Sequence, residues 1–205
     1  MSTKKVVLML ILLLWVSGVA WGFALVLRYE ATAGVSGQAP ANLAEMPQTY
    51  GRKLVILLAH PRCPCTRATL AEFEKIITRR QDIIDTHVYF FQPIDRPSSW
   101  SQGESWNLAA QLPGVQVHAD VDGRMAKVLG ARTSGQVVVF DETGRLLYSG
   151  GITGARGHQG DNPGCQAVLD LVQGGSDSVR DFPVFGCPLF DPQSPCCEGA
   201  PSCRN

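Results

Sequence analysis

The sequence predicts a three-layer α/β domain with a mixed central sheet, carried behind an N-terminal membrane helix. Three observations predict it: an uncharged run from Val6 to Leu27, strand and helix signals that alternate from residue 53 onward, and a hairpin closed by a tight Gly turn late in that series. The 205 residues suffice for one ordinary domain with extensions.

The apolar run follows Lys4 and Lys5 and is closed by Arg28. A spanning helix needs about 20 such residues, whereas the core of a cleaved signal is roughly 7–15. The length favours a retained anchor over residues 1–30, although Ala31-Thr32-Ala33 also fits a small-residue cleavage site. Trp21 and Tyr29 fall toward the outer end, where amphipathic rings suit an interface. The paired lysines predict an N-terminus held inside, against the single opposing charge of Arg28. Either reading exports the body to the extracytoplasmic, periplasmic side of the cytoplasmic membrane.

Residues 31–48 are small, polar and Pro-bearing, and read as a linker standing the domain off the membrane. The domain is expected over 49–181. Lys53 to Ala59 is a continuous apolar run, as expected of a strand buried on both faces. A helix is predicted from Pro64 to roughly Arg80, with Leu70, Phe73, Ile76 and Ile77 on one face. His87 to Ile94 reads as a strand and Ser101 to Leu112 as a helix stopped by Pro113-Gly114. A short strand (Val115 to Ala119) and a short helix (Arg124 to Leu129) follow. Gln136 to Asp141 and Arg145 to Ser149 flank Glu142-Thr143-Gly144 as an antiparallel hairpin. Asn162-Pro163 caps and opens a last helix running to Gly174-Gly175. Residues 182–205 form a tail rich in Cys and Pro, without periodicity.

The formal net charge is +0, and no basic stripe marks a nucleic-acid partner. The 7 cysteines suit an oxidising compartment, with disulfides or redox work. Two of them carry the chemistry. The strand ending at Ala59 runs through His60-Pro61-Arg62-Cys63-Pro64-Cys65 into a helix, so Pro64 suits the first helical position and Cys63 a place at or beside the N-cap. Unpaired N–H groups and the dipole there stabilise a thiolate, with Arg62 adding positive charge, and a thiol so placed falls from about 8.5 toward roughly 3.5–7.5. Cys65 is placed to resolve a mixed disulfide.

The Cys63-Pro64-Cys65 turn, together with Asp120 to Arg124, Gly130-Ala131-Arg132 and the stretch QVVVFDETGRLLYSGG, resembles the thioredoxin superfamily. Within it the chain is similar to membrane-anchored TlpA/ResA-like thiol–disulfide oxidoreductases, and among those to RedB-type proteins. The resemblance covers roughly residues 50–173. It implies a thioredoxin-like three-layer α/β/α sandwich, a protein thiol or disulfide as substrate, and a membrane or periplasmic electron donor. Two departures stand out. The family has two residues between its cysteines, where this chain has only Pro64. The smaller ring is expected to leave relaxed disulfide geometry and to be more easily reduced. Gly135, in Thr133-Ser134-Gly135, stands where the family has a cis-proline that keeps a loop against the sulfurs.

Further residues are weighed against plainer roles. The Gly-rich connection from Gly150 to Asn162 carries Arg156 and His158, either leaning over Cys63 or simply solvated; without a Gly-Lys-Ser/Thr it is no P-loop. Cys63, Cys65 and His60, with His158 or His118 as a fourth donor, make a soft set for Cu(I) or another soft metal. No other cofactor is expected. His118 reads as structural, His87 as exposed, and Asp120, Asp122 and Asp141 as turn residues. Cys187, Cys196, Cys197 and Cys203 in the tail, with Cys165, are candidates for structural disulfides; a four-thiolate zinc site and exchange of one tail thiol with Cys63–Cys65 are alternatives. The leading expectation is an extracytoplasmic thiol–disulfide oxidoreductase. Its rivals are a module of the same fold that handles copper or another soft metal, and a non-catalytic interaction domain.

Overall fold

Strand β1, Lys53–Ala59, is the hub of the molecule, and its seven apolar-rich residues explain why. Successive side chains of a strand point to opposite faces, so a run apolar at every position must be covered on both. Val55, Leu57 and Ala59 enter one apolar cluster, while Leu54, Ile56 and Leu58 enter another. Burial of each large aliphatic side chain contributes about 1.5–3 kcal/mol.

The computed structural model describes residues 2–43, 51–80, 82–175 and 180–190. After α1 (Thr3–Glu30) and β1 come α2 (Thr66–Arg80), β2 (Ile84–Gln92), a 3₁₀ turn at Ser98–Trp100, α3 (Glu104–Gln111), β3 (Val115–Val121), α4 (Arg124–Val128), β4 (Gln136–Phe140), β5 (Leu146–Gly151), α5 (Pro163–Val172) and β6 (Arg180–Phe182). The six-stranded sheet has the order β3-β2-β1-β4-β5-β6. β1 and β2, β2 and β3, and β5 and β6 pair in parallel; β4 is antiparallel to both β1 and β5. This is the mixed-sheet, thioredoxin-like architecture that the sequence predicts.

One face is covered by α2, α3 and α5 through Phe73, Ile76, Ala109, Val168 and Leu171. The other carries α4 with Ala126 and Leu129, and is completed by Ala39, Leu43, Leu189 and Phe190. Those last four residues lie in segments expected to stand outside the domain. Residues 34–43 do not simply hold it off the membrane: Gly34 N–H donates to Val184 O, Leu43 N–H to Gly144 O, and Leu146 N–H to Ala41 O. The tail likewise does not begin at 182, because β6 extends the sheet through Phe182 and residues 183–190 continue across the molecule. α4 has only 5 residues, and these segments add to the cover it gives that face.

The 28-residue α1 is long and apolar enough to cross a membrane, with a mean hydropathy of 2.4 in its best window and none of that window buried. Every residue from Val7 to Val16, nearly three turns of the helix, is exposed, so no side of it is covered by protein. A helix apolar all round with no protein cover suits a lipid surrounding.

Candidate active site

β1 delivers the chain at Ala59 into a tight turn, in which Cys63 N–H donates to His60 O and Thr66 N–H to Cys63 O. The helix begins at Thr66, not at Pro64, and its first carbonyl acceptor is Cys65, which takes the Thr69 N–H. Cys65 therefore adjoins the helix start, and Cys63 sits in the turn before it. Cys63 thus lies two residues further from the helix start than a place at or beside a cap before Pro64 would put it, because Pro64 belongs to the turn.

The loop before β4 braces this turn. Ser134 Oγ accepts the His60 N–H at 2.8 Å and lies 3.2 Å from Thr66 Oγ1, which also donates to His60 O. Gly135 N–H donates to Leu58 O at 2.8 Å. Gly135 has φ +96°, with every peptide of the described residues trans, so this loop reaches the sulfurs by a left-handed glycine instead of a cis-proline.

The sequence names Cys63 and Cys65; the structure brings a third sulfur to them. Cys63, Cys65 and Cys187 form one buried cluster, at 3%, 9% and 1% exposure. Cys63 Sγ and Cys187 Sγ are 2.9 Å apart, and neither is in a disulfide. Cys187 arrives on a segment that pairs antiparallel with the bracing loop, with Ser134 N–H donating to Cys187 O and Leu189 N–H to Arg132 O, each at 2.9 Å. Gly186 permits this approach: a Cβ there would strike the Ser134 carbonyl oxygen.

The Cys187 thiol, and after it the Cys65 thiol, hold Cys63 far below the ordinary thiol range by hydrogen bonding, against the upward push of burial. For Cys65 the Cys187 hydrogen bond acts downward, yet the hydrogen bond to Cys63, burial and the Cys63 charge together push it up to about 11. The cluster therefore concentrates one negative charge on Cys63. Arg62 places its guanidinium 4.7 Å from the centre of the Trp100 ring. Arg156 is closer to the chemistry, lowering Cys65 by its charge and donating through Nη1 to Gly186 O, beside Cys187.

His158 does not lean over Cys63; it is exposed, with Nε2 3.2 Å from Glu30 Oε2. His60 is buried, packs against Phe91 and Trp100, and accepts the Arg62 N–H on Nδ1. The expected copper donors thus do not converge, and among the described residues no group of three or more His, Cys, Asp or Glu has a metal-holding arrangement. Cys165 is a buried thiol in the main core, not a disulfide partner within the described residues. Burial, first, pushes it up to about 11. Cys196, Cys197 and Cys203 lie outside the described residues.

His87 is buried, not exposed: its Nδ1 lies 2.9 Å from His118 Nε2, with Tyr89 stacked on His118. The three aspartates serve local structure as expected. Asp120 accepts the Met125 and Ala126 N–H groups, Asp122 pairs with Lys127, and Asp141 organises the hairpin turn through Thr143 and Arg145. No local signal marks Cys187 as a neighbour of Cys63, from which it stands 124 residues away in sequence.

No protein-family model and no curated protein matches the chain. Among solved structures it is similar to a hypothetical protein from Sinorhizobium meliloti, at 18% identity and a TM-score of 0.55, over 78% of this chain and 97% of that one. It is similar to an uncharacterized conserved protein from Geobacillus kaustophilus, at 15% identity and a TM-score of 0.55, over 78% and 92%. It is also similar to an exposed lipoprotein thioredoxin from Streptococcus pneumoniae, at 17% identity and a TM-score of 0.45, over 61% and 86%. At these identities the likeness concerns fold alone.

Proposed function

We propose that the chain is a thiol–disulfide oxidoreductase, anchored by α1 and acting outside the cytoplasmic membrane, with Cys63 as its nucleophile. The observation that carries this reading is the buried sulfur cluster, in which two neighbouring thiols hold Cys63 in its thiolate form. A thiolate is the attacking species in disulfide exchange, and one poised beside further thiols can both open a substrate bond and be released from it.

Cys63 Sγ attacks one sulfur of a substrate disulfide, and the other substrate sulfur leaves as a thiolate and takes a proton from solvent. A neighbouring thiol of the cluster, with Cys65 the one named by the sequence motif, then gives up its proton and attacks Cys63 Sγ. The second substrate thiolate is released. Two protein thiols become a disulfide as one substrate disulfide becomes two thiols, and an external dithiol restores the starting state. The substrate class is a protein disulfide, and the dithiol donor is membrane-bound or periplasmic. TlpA/ResA-like and RedB-type membership belongs to this same reading, on the Cys63-Pro64-Cys65 turn and the anchor.

Reduction of insulin by the full-length protein with a dithiol donor tests it. Activity above the uncatalysed rate that Cys63→Ser abolishes is the expected result. A wild-type protein no faster than Cys63→Ser would end the proposal.

A further inference from the structure

The segment from Val184 to Leu189 is more than a tail laid over a finished domain. It runs antiparallel to Arg132–Ser134, hydrogen-bonding at both ends of that stretch. Pairing with an exposed backbone edge is how an extended peptide commonly docks on a protein. The segment therefore occupies the edge beside the reacting sulfurs that a substrate peptide would use, and it carries a cysteine to the position a substrate sulfur would take. Three anchors fix it there: Arg156 Nη1 donates to Gly186 O, Gly34 N–H donates to Val184 O at 2.8 Å, and Leu189 enters the core of the second sheet face.

We propose that Cys187 is the third redox cysteine of the site, the thiol that closes on Cys63 to form an internal Cys63–Cys187 disulfide. This rests on the oxidoreductase reading above and names which thiol resolves its mixed disulfide. The geometry favours Cys187 over Cys65 in two ways. The two sulfurs approach from separate segments at 2.9 Å, so bonding at about 2.05 Å needs a closure of about 0.9 Å. Cys65 is joined to Cys63 through Pro64 alone, and the small ring of a Cys-x-Cys bridge departs from relaxed geometry.

The step balances as follows. Substrate entry displaces the 184–189 segment, and Cys63 Sγ forms a mixed disulfide while the first substrate thiolate leaves and is protonated. When the segment returns, the Cys187 thiol loses its proton to solvent and its thiolate attacks Cys63 Sγ. The Cys63–substrate bond breaks, the second substrate thiolate is released, and the electron pair lost by the two protein thiols resides on the substrate. A dithiol reverses the bond through a second exchange.

The test uses the full-length protein, oxidised glutathione as probe, and disulfide mapping by mass spectrometry after alkylation. In Cys65→Ser, oxidation should release two glutathione thiols for each Cys63 oxidised, leave no glutathione on Cys63, and yield a Cys63–Cys187 peptide pair that a dithiol reopens under native conditions. Wild type should show the same pair. Cys65→Ser/Cys187→Ser should stop after one thiol, with glutathione retained on Cys63. A stable glutathione adduct on Cys63 in Cys65→Ser would overturn the proposal, as would exclusive Cys63–Cys65 linkage in wild type. A Cys63–Cys187 bond that no dithiol opens would make it a staple and overturn it too. Insulin reduction by wild type is scored separately: retained activity with Cys63–Cys65 linkage defeats the role of Cys187 and leaves the oxidoreductase reading standing.

Discussion

Ser134 Oγ accepts the backbone N–H of His60 across 74 residues of sequence, at 2.8 Å. That contact joins the loop before β4 to the turn that carries both cysteines. The acceptor is fully buried, so its removal leaves a buried N–H without its oxygen. Ser134→Ala should lower stability by about 1–3 kcal/mol in chemical denaturation. Ser134→Thr, which keeps the hydroxyl, should recover most of the loss if the hydrogen bond is its source.

Gly135 makes the same loop possible by a different device. Its φ of +96° lies outside the range proline allows, and its N–H is held by Leu58 O. Restoring the proline of the resembling family should therefore fail. Gly135→Pro is expected to cost about 3 kcal/mol or more, read as a drop in denaturation midpoint. Gly135→Ala should cost less, since its Cβ would meet Thr69 Oγ1 at 3.1 Å while the N–H is kept.

The elements were legible where local pattern and burial agree. β1 is apolar at every position after Lys53 because it is central, and α5 opens at Asn162 because that side chain accepts the Cys165 N–H at 2.8 Å. The helix starts at Thr66 and not at Pro64, because proline fits a turn and a first helical position equally well. Cys187 was legible as a cysteine but not as a neighbour of Cys63. A contact across 124 residues leaves no mark in spacing, and the Pro-rich segment around it has no periodicity to betray a strand-like pairing. For the same reason residues 34–43 read as linker, although they add to the cover of the second face of the sheet.

The charge on Cys63 should follow Cys187. The Cys187 thiol is the foremost group depressing Cys63, ahead of Cys65. A hydrogen bond to a charged group is worth about 1.5–3 kcal/mol, and one pKa unit is about 1.4 kcal/mol. Cys187→Ala, which cannot donate, should therefore raise the Cys63 titration midpoint by about 1 unit or more. Thiolate ultraviolet absorbance across a pH series, with Cys63→Ser subtracted, measures it. An unmoved midpoint would place the stabilisation elsewhere, with Cys65 or the backbone.

The paired histidines on β2 and β3 predict a second pH response, remote from the sulfurs. His87 Nδ1 and His118 Nε2 share one short contact of 2.9 Å, with Asp85 Oδ1 3.3 Å from His87 Nε2 and Tyr89 stacked on His118. Burial first, and the proximity of His87 second, lower His118 below the ordinary imidazole value. The unfolded chain then binds a proton at His118 before the folded one does. Stability is thus full above about pH 6.5 and declines as pH falls from there through the lowered folded value. Wild type should show a denaturation midpoint that drops between about pH 7 and pH 5. His118→Gln keeps a polar partner for His87 but does not titrate, so its midpoint should fall less over the same interval. Equal slopes in the two proteins would assign the acid response to other groups.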